Sequence, residues 1–126
     1  MATILIVDDD PDVVEACRLF LERERHTVVC AYNRAEGMKA VAESRPDLVI
    51  LDVIMDQPDD GIAMAQDLRR DGFTNPILML TSIGRVTGLS YGKDEELVPV
   101  DAFHDKPIEP AELMRTVDEL LAAKAR

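Results

Sequence analysis

Basic residues are scarce in this chain of 126 residues: 14 Lys and Arg stand against 25 Asp and Glu, a formal net charge of -11. No basic stripe forms, and phosphate backbones are bound by basic surfaces, so a direct nucleic-acid partner is not expected. Long apolar runs are missing too. No stretch approaches the ~18 residues of a membrane helix, and the opening Met1-Ala2-Thr3 carries no charged leader. The expectation is a soluble cytoplasmic protein with no membrane insertion. Cysteine is limited to Cys17 and Cys30, both within apolar periodic segments, which reads as small buried thiols rather than a disulfide or a metal site. A nucleotide or flavin module would place a glycine-rich phosphate cradle after the first apolar segment. Three carboxylates stand there instead.

What is present is ordinary for one globular domain with a real core: 47% hydrophobic residues and 31% charged. Short aliphatic runs alternate with helical periodicity, the pattern of a parallel sheet wrapped by helices. Strands are expected at 3–7 (TILIV), 27–31 (TVVCA), 48–51 (LVIL), 77–80 (ILML) and 100–104 (VDAFH). A first helix follows Asp10 as N-cap and Pro11 at its first position, with Val13, Val14, Cys17, Phe20 and Leu21 on one face. A second begins near Asn33, where Glu36 three residues on forms a capping box, buries Met38, Val41 and Ala42, and stops before Pro46. A third should run from about Gly61 to Arg70 with Ile62, Ala65 and Leu68 inward. The last should run from Pro110 to about Ala123 with Leu113, Val117, Leu120 and Leu121 inward. Between them, "SIGRVTGLSYGKDEELVPV" is long for a fourth helix, and Gly84, Gly88 and Gly92 each cost ~1 kcal/mol in a helix interior, so an irregular helix is expected.

Open parallel sheets bind ligands beyond the carboxyl ends of their strands, at the switch point in strand order. Strand 1 ends in Asp8-Asp9-Asp10, strand 3 in Asp52, strand 4 in Thr81-Ser82 and strand 5 in His104-Asp105-Lys106-Pro107. Carboxylates ~4 Å apart repel by roughly 4 kcal/mol at an effective dielectric of 20, so an acidic run at a strand end calls for something to hold it.

In the combination of "ILIVDDDP", "PDLVILDVIM", "PILMLTS" and "DAFHDKPIEP", the chain resembles the response-regulator receiver domain of two-component signalling over essentially its whole length. The resemblance implies a flavodoxin-like α/β fold: a doubly wound five-stranded parallel sheet of order 2-1-3-4-5 flanked by about five helices. By the same resemblance Asp52 accepts a phosphoryl group, and Asp8, Asp9, Asp52 and the backbone carbonyl of Ile54 hold Mg²⁺ or Mn²⁺. Thr81 would be the switch hydroxyl, Phe103 the switch aromatic and Lys106 the phosphate-contacting lysine, with a cis bond before Pro107. The implied function is a phosphorylation-dependent switch, fed by a sensor histidine kinase or phosphotransfer protein, that is not a dedicated enzyme. Its downstream protein partner would meet the face made by helix 4, strand 5 and helix 5.

The chemistry fits those residue types. A carboxylate and a phosphorylated donor are both anionic, so a divalent ion must screen their approach. Mg²⁺ takes oxygen ligands and keeps several waters. Ile54 and Ile83, two residues after the phosphoacceptor and the switch hydroxyl, would tune the phosphoryl lifetime, being unable to orient a water. The segment "DVIMDQPDDG" departs from the family pattern: Asp56 follows Met55 and the proline is displaced to Pro58. Two other functions stand beside this one. A receiver-like interaction module indifferent to phosphate would share the fold. A Mg²⁺-dependent phosphohydrolase of the haloacid-dehalogenase type would need an acid two residues after its nucleophile, where this chain has Ile54. Residues 1–126 are expected to form one receiver domain with no output region.

Overall fold

The aliphatic runs become five strands: Thr3–Val7 (β1), Thr27–Ala31 (β2), Leu48–Asp52 (β3), Ile77–Thr81 (β4) and Ala102–Asp105 (β5). They form one parallel sheet in the order β2-β1-β3-β4-β5. The structure is a computed structural model that describes residues 2–52, 60–81, 101–105 and 109–125. β3 and β4 each extend one residue beyond expectation, because Asp52 pairs with Leu80 and Thr81 with Asp105 in the ladder. β5 begins at Ala102 rather than at position 100.

Four helices stand among the described residues: Pro11–Arg23 (α1), Arg34–Ser44 (α2), Asp60–Arg70 (α3) and Pro110–Ala125 (α4). The helix expected between β4 and β5, with its three glycines, lies outside the described residues. α1 starts as its sequence signals: the side chain of Asp10 accepts the Asp12 N–H at 2.9 Å, and Pro11 needs no partner at the first position. At α2 the Asn33 side chain accepts the Glu36 N–H at 2.8 Å. Glu36 reaches back one residue further than a standard capping box, accepting from the Tyr32 N–H at 2.9 Å. α2 ends at Ser44 because Arg45 turns left-handed, φ 46°, ahead of Pro46.

Strand alternation divides the core. Leu5, Val7, Val49, Leu51, Ile77 and Met79 face α2 and α3, where they meet Met64, Ala65 and Leu68. Ile4, Ile6, Leu48, Ile50, Leu78 and Leu80 face α1 and α4, meeting Val14, Cys17, Leu21, Leu113 and Val117. The inward face of α2 is thinner than its pattern implies: Met38 and Val41 are half-buried, Ala42 is exposed, and Gly37 is the buried residue. That close approach explains the glycine. A Cβ at position 37 would lie 2.8 Å from Met64 Cε and 3.0 Å from Val7 Cγ1. Neither Cys17 nor Cys30 forms a disulfide; Cys17 is buried, and burial pushes the half-buried Cys30 thiol up.

Polar clips tie the amino-terminal ends of the strands. Asp47 donates its N–H to the Thr3 carbonyl at 2.7 Å and accepts the Thr3 N–H on its carboxylate at 2.9 Å. Arg69 donates to the carbonyls of Phe73 and Asn75 and to the Asp101 carboxylate, which also accepts the Ile77 N–H. No helix among the described residues is long and apolar enough to cross a membrane.

Candidate metal centre

The reversal of strand order falls between β1 and β3, whose neighbours run outward in opposite directions. The chain leaves both strands through acids. Val7 pairs with Leu51, so Asp8 and Asp52 occupy the next position on neighbouring strands. Both are buried, 3% and 6% exposed, while Asp9 is exposed. Carboxylate oxygens of Asp8, Asp9 and Asp52 lie within 4.8 Å of one another. Three charges at that spacing repel by roughly 3 kcal/mol per pair at an effective dielectric of 20.

Backbone bonds hold Asp8 in place. Its N–H donates to the Ala31 carbonyl at the end of β2, 3.1 Å away, and its Oδ1 accepts the Asp10 N–H at 2.9 Å. Asp10 turns away to cap α1, so the adjacent acids separate by role: two join the cluster and one starts a helix. The donor set is entirely oxygen and anionic, and the groups converge, which suits a hard divalent cation such as Mg²⁺ or Mn²⁺.

Of the other residues singled out by sequence, Thr81 closes β4 and Phe103 lies on β5 opposite Met79. Ile54, Ile83, Lys106 and Pro107 lie outside the described residues. One feature of this rim was not legible in the sequence. Arg34, the first residue of α2, makes ion pairs with Asp60 and Asp67 of α3, and Asp60 is buried. The Arg34–Asp67 pair spans 33 positions, and no local pattern marks such a contact.

Known proteins of the same shape carry the same arrangement of elements. A structure of a two-component response regulator from Clostridium difficile is 25% identical and superposes with a TM-score of 0.81 over 97% of each chain. The N-terminal receiver domain of Klebsiella pneumoniae RstA is 27% identical, with a TM-score of 0.78 over 94% of this chain and 97% of that one. Among curated relatives, the regulatory protein VanR of Enterococcus faecium is 34% identical over 90% of this chain and 47% of its own length. The DNA-binding regulator RpaA of Synechocystis is 33% identical over 96% of this chain and 49% of its own length. The chain thus spans about half the length of the curated relatives it matches. The model of the response regulator receiver domain matches residues 4–118, from the first residues of β1 deep into α4, and the chain belongs to that family.

Proposed function

We propose that the chain is a phosphorylation-dependent signalling switch in which Asp52 takes a phosphoryl group from a phosphohistidine donor. The observation that carries this reading is the buried pair Asp8 and Asp52, gathered with Asp9 within 4.8 Å at the switch point of the sheet. Burial on two rigid strands keeps the carboxylate in one place, which favours in-line attack. An oxygen of Asp52 bonds to phosphorus as the P–N bond breaks, and the imidazole departs with the electron pair and takes up a proton.

Asp8, Asp9 and Asp52, with the carbonyl of Ile54, are assigned to hold Mg²⁺ or Mn²⁺. The bound ion would neutralise charge on the transferring oxygens. Lys106 is assigned to contact the phosphoryl group, with the cis bond before Pro107 beside it. Thr81, at the end of the neighbouring strand, is assigned as the switch hydroxyl that would follow the new acceptor oxygens, and Phe103 as the switch aromatic that would respond. The donors are a sensor histidine kinase or a phosphotransfer protein. The downstream partner is a protein that reads the face formed by β5, α4 and the segment between β4 and β5. Residues 1–126 act as one receiver unit in the cytoplasm, as a signalling protein rather than a dedicated enzyme. With its net charge of -11, this unit is not the part that would touch nucleic acid; the DNA-binding description of RpaA belongs to a protein about twice as long.

Incubation with acetyl phosphate and Mg²⁺, followed by intact mass, tests the reading. A labile gain of about 80 Da, one phosphoryl group per chain and discharged by hydroxylamine as an acyl phosphate is, is expected for the wild type and not for Asp52→Asn. A wild type that stays unmodified in Mg²⁺ would leave the phosphate-independent interaction module as the better account.

A further inference from the structure

The apolar residues of α2 ask for more cover than the fold supplies. Met38 and Val41 are half-buried and Ala42 is exposed, and all three line a cavity of about 440 Å³ between α2 and α3. Leu68 of α3 and Phe73 of the turn after it extend the apolar lining. The cavity lies beside the amino-terminal ends of β3 and β4, at the pole of the sheet opposite the acidic cluster, and its size is that of a small-molecule site. Its walls are fixed. Asn75 Nδ2 donates to the Pro46 carbonyl at 3.0 Å, joining the turn after α2 to the turn after α3, and Arg69 holds the carbonyls of Phe73 and Asn75 at 2.9 and 2.8 Å.

One charge of each sign stands on this cavity. Arg45 closes α2 and Asp71 follows α3, and neither side chain makes an ion pair or a hydrogen bond with the described residues. Asp71 is the misplaced one. It sits past the carbonyl end of α3, where the helix dipole disfavours an anion, while its basic neighbours Arg69 and Arg70 pair with Asp101 and Asp67 instead. A ligand cation would answer Asp71, a ligand anion would answer Arg45, and hydrocarbon would cover the half-buried residues of the lining.

We infer that this cavity is a binding site for a free apolar α-amino acid, with its carboxylate on Arg45, its ammonium on Asp71 and its side chain against Met38, Val41 and Phe73. The inference is independent of the acidic cluster and of phosphoryl transfer. Charge complementarity selects the occupant: an alkyl amine or a fatty acid leaves one of the two charges unanswered, and the backbone of an internal peptide segment carries neither.

L-Phenylalanine is the probe, read by the isotope-labelled methyl of Met38, which Met38→Leu identifies among the six methionines. That resonance should shift saturably, with half-saturation at roughly 1 mM for so small a ligand. Hydrocinnamate, which lacks the ammonium, and phenethylamine, which lacks the carboxylate, should each bind about threefold to tenfold more weakly. Arg45→Gln should weaken L-phenylalanine by a similar factor without weakening phenethylamine. Asp71→Asn should weaken it without weakening hydrocinnamate, and these crossed insensitivities separate ion pairing from a general change of fold. Ala42→Leu, at an exposed helical position, should fill the space and abolish the shift. A Met38 methyl unmoved by roughly 20 mM L-phenylalanine overturns the site. Equal binding of all three compounds overturns the pairing that defines its ligand. A Met38 methyl that shifts with protein concentration alone, beside a dimer in sedimentation, assigns the groove to a second copy and overturns the inference as well.

Discussion

Asp8 and Asp52 end neighbouring parallel strands at the same level, both nearly excluded from water, with carboxylate oxygens within 4.8 Å. Two like charges in that position oppose folding until a cation joins them, and the consequence is measurable without any signalling partner.

In metal-free buffer, Asp52→Asn should raise the melting temperature by several degrees, corresponding to about 1–2 kcal/mol of relieved repulsion. Millimolar Mg²⁺ should then stabilise wild type more than the variant, since a ligand bound only by the folded state shifts stability by mass action. Equal responses in a thermal melt would remove Asp52 from the metal site.

The three consecutive aspartates should behave as three different residues. Asp10→Asn preserves a capping side chain and should leave both stability and Mn²⁺ affinity within about twofold of wild type, whereas Asp10→Ala should cost about 1 kcal/mol through the lost cap on α1. Asp9→Asn should do the reverse, weakening Mn²⁺ binding with little effect on the melt. Isothermal titration beside chemical denaturation separates the two outcomes, and a loss of metal affinity in Asp10→Asn would place that residue in the cluster.

Much of this was legible before any coordinates. Apolar runs placed all five strands within two residues at either end, and Asp10, Pro11 and Asn33 announced helix starts because capping is chemistry between near neighbours. The acids at the ends of β1 and β3 could be read as a site because parallel topology puts consecutive strand ends on one rim. Tertiary distance hid the rest. Ala42 looks buried by periodicity, yet α2 sits so close to β1 at Gly37 that its flank turns outward. The Arg34 ion pairs depend on residues 26 and 33 positions away, beyond the reach of any helical or strand period.

Gly37 supplies a packing test. Alanine is the better helix former by about 1 kcal/mol, but its methyl would press on Val7 Cγ1 at 3.0 Å and displace the flexible end of Met64, 2.8 Å away. Overpacking should win, and Gly37→Ala should lower stability by about 1 kcal/mol. In a Met64→Ala background the same substitution should cost less, because one of its two obstacles is gone. Urea denaturation of the four proteins gives the coupling, and a stabilising Gly37→Ala in the wild-type background would mean that the helices part easily.

The phosphoryl lifetime is a fourth test, and it concerns residues outside the described ones. Ile54 and Ile83 cannot hydrogen-bond a water, so self-dephosphorylation should be slow for the family. Ile54→Asn combined with Ile83→Glu should speed it about tenfold, or ~1.4 kcal/mol off the barrier. The decay of labelled protein in excess Mg²⁺ measures this directly, and an unchanged decay would show that water placement is not limiting.

The division of the core into two faces bears on how the chain finds its alignment. β1 and β3 are aliphatic on both sides, with Ile4, Leu5, Ile6, Val7, Leu48, Val49, Ile50 and Leu51 all at most 2% exposed. A one-residue slip of such a strand exchanges its faces and still buries hydrocarbon on each, so greasiness cannot tell the right pairing from the wrong one. The polar residues at the mouths of the strands can. Slipping β3 one way would drag Asp52 into the apolar level of Leu51, and slipping it the other way would part Asp47 from Thr3, whose backbone it grips through both an N–H and a carboxylate. The acids at the mouths of the strands thus single out one register where apolar burial alone does not.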